Sequence, residues 1–348
     1  MARSEIESLE IAFRSAQARL GIAAGLVTRD EWMGLSISAP SKGSYGLMMR
    51  LLRLILGLRS MSRRLTKSYY RYARGLETGY TLSQDGEDTT LNELRDEFEA
   101  DLERVKTLDF DWPDMTAEER YAAGEMKSVS RGDTAAWKPG ELSQSLVDWN
   151  DSIVTPDGKV QGEKFDWTED RIQNLQDAVR RWRDEIGYKG IKNFEAKVRA
   201  IKQRYADDPD RMLAEIEDAF ILVRDSLSGV IDKAAIDSGR ELIDDVVVRD
   251  KRVKLYARGV RENPCHFCSM LASRGFVYGS AKDAVSGWHP NCHCYAIVRW
   301  SNESGLPERN QYYYDMWPEV TNGYYGKDKV KAWRRWIAKQ RVKRGGKL

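Results

Sequence analysis

Along the first third of the chain, apolar positions recur at helical rather than alternating intervals. Ile6, Leu9, Ile11, Phe13, Ala16 and Leu20 fall close to three- and four-residue steps, which predicts an opening helix. Pro40 and Gly43 mark a break. A second helix is predicted over about 45–76, apolar early and basic later through Arg50, Arg53, Arg59, Arg63, Arg64, Lys67, Arg71 and Arg74. Thr90-Leu91-Asn92-Glu93 has the form of a capping box. Behind it, Leu91, Leu94, Phe98, Leu102 and Val105 place one apolar stripe on a third helix.

Periodicity then lapses. Residues 107–166 carry Pro113, Pro139, Pro156 and the turn sequence Thr155-Pro156-Asp157-Gly158, and are expected to form an extended connector. Helical order returns at Thr168, with Ile172, Leu175, Val179, Trp182 and Ile186 on one face and Gly187 placed as a C-terminal cap. Phe194, Val198, Ile201 and Tyr205 mark the next helix, and a long run over 209–248 follows, with a kink expected near Gly229 or Gly239. Strands are expected at Val246-Val247-Val248, at 253–256 and at 295–300, where β-branched and aromatic residues gather. The end of the chain, 327–348, holds ten basic residues and one acid, Asp328, with Val330, Trp333 and Ile337 on one helical face beside Trp336.

These elements predict a mainly α protein, a helical N-terminal region joined to a small C-terminal α+β domain. The segments are 1–84 (helical), 85–166 (acidic and irregular, with one helix), 167–300 (helical then α+β) and 301–348 (a basic tail). A chain of 348 residues, 41% hydrophobic and 32% charged, is large enough for more than one domain. Its 56 basic and 54 acidic residues nearly cancel, but they are segregated. Residues 85–119 hold fourteen acids against Arg95, Arg104 and Lys106, a net of −11. That acidic helix could neutralise the basic helix before it; otherwise the basic face is solvated or meets an acidic partner or nucleic acid. The first twenty residues have no continuous apolar core, so no secretory leader is expected. The most apolar stretch, 47–58, contains Arg50 and Arg53 and is too short and too charged to span a bilayer.

The candidate chemistry is concentrated. All four cysteines (Cys265, Cys268, Cys292, Cys294) and all three histidines (His266, His289, His293) lie within 265–294. Pro264-Cys265-His266-Phe267-Cys268 is a C-x2-C pair, a spacing that lets two thiolates face one ion; His289-Pro290-Asn291-Cys292-His293-Cys294 supplies a second pair. The expected ligands of a structural zinc are Cys265 and Cys268 with His289 and one or both of Cys292 and Cys294. His266 and His293 read as bystanders, because adjacent residues of an extended chain seldom point the same way. Disulfides, free thiols and a catalytic site are the alternatives. A zinc deaminase needs a His or Cys upstream of its Pro-Cys-x-x-Cys, and none precedes Cys265. The His-Glu-x-x-His of zinc proteases is also missing. The twenty-odd residues between the two halves bury little by themselves, so a metal that closes them would contribute folding free energy directly.

The run Pro264-Cys265-His266-Phe267-Cys268-Ser269-Met270-Leu271-Ala272-Ser273-Arg274-Gly275, followed by Val277-Tyr278 and the 289–294 motif, resembles the phage Mu F-like minor head proteins, in the form found in actinobacterial phages. The likeness covers roughly 215–300. It implies a minor capsid, head-morphogenesis protein of the virion, made in the host cytoplasm and associated with the portal or major capsid protein. It further implies a link to DNA packaging or ejection, with Cys265, Cys268, His289, Cys292 and Cys294 as the matching positions. Packaged DNA is a second expected partner, through the basic 327–347 segment. Distant members are likened to ADP-ribosyltransferases, but no Arg, Ser and Glu constellation for that activity is present here. The expectation is therefore a structural protein without turnover. The alternatives are a zinc-stabilised nucleic-acid-binding protein and, behind it, a capsid-maturation or ADP-ribosyltransferase-like enzyme.

Overall fold

The computed structural model describes residues 2–108, 157–167, 171–261, 264–285 and 292–343. Three long helices dominate: α1 (Ala2–Met33), α2 (Ser44–Thr78, after a 3-10 turn at Pro40–Gly43) and α6 (Pro209–Arg249). Each packs along the other two. Their shared core includes Leu9, Phe13, Leu20, Leu51, Leu58, Leu65, Ile231, Ala235 and Leu242, all almost without solvent contact, and Phe13 stacks on Tyr69 at 4.0 Å. No helix among the described residues is long and apolar enough to cross a membrane.

Two features of this trio follow from particular residues. The α6 backbone runs as helix through both Gly229 and Gly239. At Gly239 the missing side chain permits close approach: a Cβ there would lie 2.4 Å from Thr66 Oγ1 and 2.8 Å from Ser62 Oγ. Those hydroxyls belong to a buried network in which Gln17 Nε2 donates to Thr66 Oγ1 (2.9 Å) and Ser62 Oγ donates to Gln17 Oε1 (2.7 Å). Charge is also spent inside. Asp250, at the end of α6, accepts from Arg74 Nε (2.8 Å), Tyr70 Oη (2.8 Å) and Trp300 Nε1 (2.9 Å), and Arg299 pairs with Glu10 (2.5 Å) and Glu77 (3.4 Å). Groups this deeply buried need such partners, because desolvation without them costs several kcal/mol each.

The third helix, α3 (Leu91–Thr107), begins with the capping box read from the sequence: Thr90 Oγ1 accepts from Glu93 N, and Glu93 Oε2 accepts from Thr90 N. Leu94, Phe98, Leu102 and Val105 are buried against the bundle. The acidic helix does neutralise part of α2, through Arg64 with Asp101 at 2.7 Å and through Arg71 with Glu97. Arg59 pairs with Glu241 (2.5 Å), and Arg74 with Glu163 as well as Asp250. Much of the basic run of α2 is thus consumed by internal pairs. Beside α3, β1 (Tyr80–Ser83), β2 (Thr89–Thr90) and β3 (Lys159–Lys164) form a sheet in the order β1-β3-β2, with β1 parallel and β2 antiparallel to β3. The connector expected over 107–166 lies mostly outside the described residues.

Helices α4 (Arg171–Lys189) and α5 (Ile191–Arg204) cover the outer part of α6. The predicted cap at Gly187 is a correction: the helix continues to Lys189 and the break falls at Gly190. Val246-Val247-Val248 is likewise helical, the last turn of α6. Val246 and Val247 are buried there while Val248 is exposed, so packing of an amphipathic helix overrides β-branched preference. The other two expected strands are present as β4 (Leu255–Gly259) and β5 (Tyr295–Arg299), an antiparallel pair with Ala257 opposite Ile297. Short helices α7 (His266–Ala272) and α8 (Ala281–Val285) lie between them in sequence, and α9 (Glu308–Thr321) and α10 (Lys327–Lys343) follow.

Among the described residues, buried apolar side chains fall into two clusters. The larger holds the bundle; the smaller joins Val260, Cys268, Ala272, Cys292 and Cys294 to Tyr313 of α9 and to Trp333 and Ile337 of α10. The last two helices therefore pack on the cysteine segment, with α7 as their main support.

Candidate metal centre

The site is assembled from two stretches of chain. Cys265 is the N-cap of α7: its backbone is extended (φ −64°, ψ 160°) and its Sγ accepts a hydrogen bond from the Cys268 amide at 3.3 Å. That bond stabilises negative charge on the Cys265 sulfur and fixes Cys268 one turn inside the helix, pointing into the small core. The second stretch is anchored by β5. Side chains alternate along extended chain, so Cys292 and Cys294, two residues apart, can share a side that His293 does not. Cys268, Cys292 and Cys294 are all buried, with their sulfur atoms within 4.8 Å of one another. Cys268 Sγ and Cys292 Sγ are 3.7 Å apart.

That distance is informative. Around a tetrahedral ion with metal–sulfur bonds of about 2.3 Å, sulfur atoms sit roughly 3.8 Å apart, whereas a disulfide needs about 2.05 Å. All four cysteines are free. The surrounding charge agrees with a thiolate site. Arg258 on β4 has no solvent contact, and its NH2 lies 3.7 Å from Cys268 Sγ while its NH1 donates to the Ala284 carbonyl at 3.3 Å. Burial works against the Arg258 charge, but the thiolates of Cys294, Cys268 and Cys292 outweigh it and raise its pKa above the ordinary value. The thiols themselves share protons. Hydrogen bonds with Cys265, Cys292 and Cys294, together with burial, raise Cys268. Cys294 is pulled down by Cys268 but pushed further up by Cys292 and burial, to about 12, and Cys292 is lowered by hydrogen bonds from both. The compact group of thiols thus lies beside a buried cation. A soft divalent cation would take the place of the shared protons, so the donors present fit a metal ion.

The protein family described as VG15 protein matches residues 115–320, more than half of the chain and the whole cysteine segment. The chain belongs to this family. VG15 is a family of phage gene products, so the protein is a phage protein. Neither the curated proteins nor the solved structures give a match.

In this VG15 chain, the structure brings Cys268, Cys292 and Cys294 together and sets Cys265 against them, partly buried at the edge of the same core. His289 lies outside the described residues. His293 is directed elsewhere: its Nε2 meets Asp232 Oδ1 of α6 at 2.7 Å, and its Nδ1 lies 2.9 Å from Arg261 NH1. Because Arg261 can only donate, Nδ1 is the acceptor and Nε2–H donates to Asp232. The arrangement fits tightly under α1, where a Cβ at Gly21 would fall 2.0 Å from Asp232 Oδ1. Arg240 of α6 completes the support, its Nε (3.0 Å) and NH2 (2.8 Å) donating to the Cys294 carbonyl and its NH2 also to that of Cys292. Sequence reasoning missed Arg240, Arg258 and Asp232, which lie 10 to 61 residues from the cysteines and the histidine they contact. The one available signal was an arginine in the strand just before the C-x2-C pair.

Proposed function

We propose that this VG15-family protein is a minor head protein of a tailed phage, of the Mu F-like kind. In this reading it is a structural component of the virion with no catalytic turnover, built into the procapsid in the host cytoplasm beside the portal or major capsid protein. The observation that carries the reading is the family match across the cysteine segment, together with the 264–278 and 289–294 strings that resemble Mu F-like proteins. The ion we assign to the centre is zinc, held by Cys268, Cys292 and Cys294 with Cys265 or His289 as the fourth ligand. Thiolate donors at this spacing suit tetrahedral zinc, and the ion's role would be to close the knuckle. Cys268, Cys292 and Cys294 are buried in the core that Tyr313 and Trp333 complete, which supports a structural role for the ion.

Mass spectrometry of purified particles and of procapsids tests the proposal. Peptides of this chain in both, at few copies relative to the major capsid protein, are expected. Their absence from both would overturn it.

A further inference from the structure

We infer that the outward face of α10 is a binding surface for the phosphate backbone of double-stranded nucleic acid. The inference deepens the reading above by locating the contact with DNA, and it rests on that reading only for which duplex the protein meets.

Two basic segments competed for this role in the sequence, and the fold separates them. Along α2, Arg59, Arg64, Arg71 and Arg74 are committed to Glu241, Asp101, Glu97, Glu163 and Asp250. The other segment, α10, is sorted by side. Ala332, Trp333 and Ile337 are buried, Trp333 Nε1 donates to Ser269 Oγ at 3.0 Å, and Arg341 donates to the Pro264 carbonyl at 2.9 Å. Those contacts fix the rotation of the helix on the knuckle. With that rotation set, Lys327, Lys331, Arg334, Arg335 and Lys339 all point to solvent. At 100° per residue they fall within one arc of ~140°, and at 1.5 Å per residue they span ~18 Å. On that face one acid is present, Asp328, paired with Lys331 at 2.9 Å.

A strip of five cations ~18 Å long matches about five phosphates of one strand, spaced roughly 3.4 Å along the duplex axis. Arg335 also lies over the Tyr324 ring at 5.9 Å, and Tyr325 beside it is 83% exposed, so flat side chains stand at the end of the strip. Nothing in the arrangement reads base edges. The expected binding is independent of sequence and strongly dependent on salt.

The test is a salt titration of binding between the full chain and a 30-base-pair duplex, followed by fluorescence anisotropy. Wild type is compared with Arg334→Glu/Arg335→Glu/Lys339→Glu and with a control of equal charge change on α5, Lys197→Glu/Arg199→Glu/Lys202→Glu. Losing three phosphate contacts should reduce the slope of log K against log salt by about 2.7, so between 50 and 200 mM salt the wild type weakens roughly 40-fold more than the α10 variant. The α5 variant should follow the wild type. Circular dichroism confirms that both variants are folded. No binding by the wild type at 50 mM salt, equal losses from both variants, or tighter binding to a single strand of the same length would each overturn the assignment. Particle composition separates this from the head-protein reading: a chain found in virions that ignores DNA sinks only the inference, and one that binds DNA but is missing from particles sinks only the other.

Discussion

Replacing Trp333 by alanine asks whether the last two helices belong to the cysteine knuckle or merely trail from it. Trp333 has no solvent contact and lies against Trp336 (4.8 Å), Trp317 (5.1 Å) and Tyr313 (6.1 Å). Truncating a buried tryptophan typically costs about 3–5 kcal/mol, in lost transfer free energy plus the cavity left behind. The lost hydrogen bond to Ser269 Oγ adds at most about 1 kcal/mol, because that hydroxyl still donates to the His266 carbonyl. A local loss of about 4 kcal/mol is therefore expected, concentrated in the small core, since the bundle has its own. Hydrogen exchange followed by mass spectrometry is the assay. Peptides of α7, α9 and α10 should exchange about a hundredfold faster or more, while those of α1, α2 and α6 keep their protection. Because the indole and the thiols share one core, metal affinity should also fall, by at least tenfold. A change in protection below about 1 kcal/mol, with metal affinity intact, would refute the reasoning; a value that small belongs to surface substitutions.

Other substitutions test separate links. Arg258→Met removes the buried cation facing the thiolates and should weaken metal binding by about 10–100-fold, as loss of an outer partner of a metal ligand does, measured by competition with a chromophoric chelator. Gly239→Ala should destabilise by about 2 kcal/mol in urea unfolding, because overpacking against Thr66 and Ser62 outweighs the gain in helix preference of about 1 kcal/mol. Gly187→Ala, where a Cβ meets nothing within 4 Å, should instead be neutral or slightly stabilising. Asp244 is half-buried, and desolvation raises its pKa to about 6. A raised carboxyl favours the folded state while protonated and loses that contribution as pH rises through about 6, so Asp244→Asn should stabilise at pH 8 and make no difference below pH 4. Allowing for partial exposure, the gain at pH 8 is about 1–2 kcal/mol by urea unfolding.

What the sequence made legible was local. The Thr90–Glu93 box and the stripe behind it are contacts between residues three or four apart, and they appear in the structure as written. The cysteine cluster was legible because its two pairs, Cys265 with Cys268 and Cys292 with Cys294, are each close in sequence, at spacings typical of zinc ligands. Misreadings came where distant packing decides. Val246 to Val248 favour a strand by themselves, but α6 needs Val246 and Val247 on its buried side. Gly239 is a contact point between helices, a role that depends on Thr66 and Ser62 from another helix. The 327–348 stretch was read chiefly by its charge, though Trp333 and Ile337 already carried the apolar face that docks it. Arg258, Arg240 and the Asp232–His293 pair could not be found by spacing, because their partners meet only after folding.

The central claim is that the cysteines of the 265–294 segment hold one ion. Elemental analysis of the purified full chain by inductively coupled plasma mass spectrometry, wild type beside Cys268→Ser, tests it most directly. The account predicts about one zinc per wild-type chain and almost none in the variant, whose α7, α9 and α10 lose exchange protection. A metal-free wild type that is fully protected in those helices, with its cysteines reacting as ordinary thiols, would contradict it.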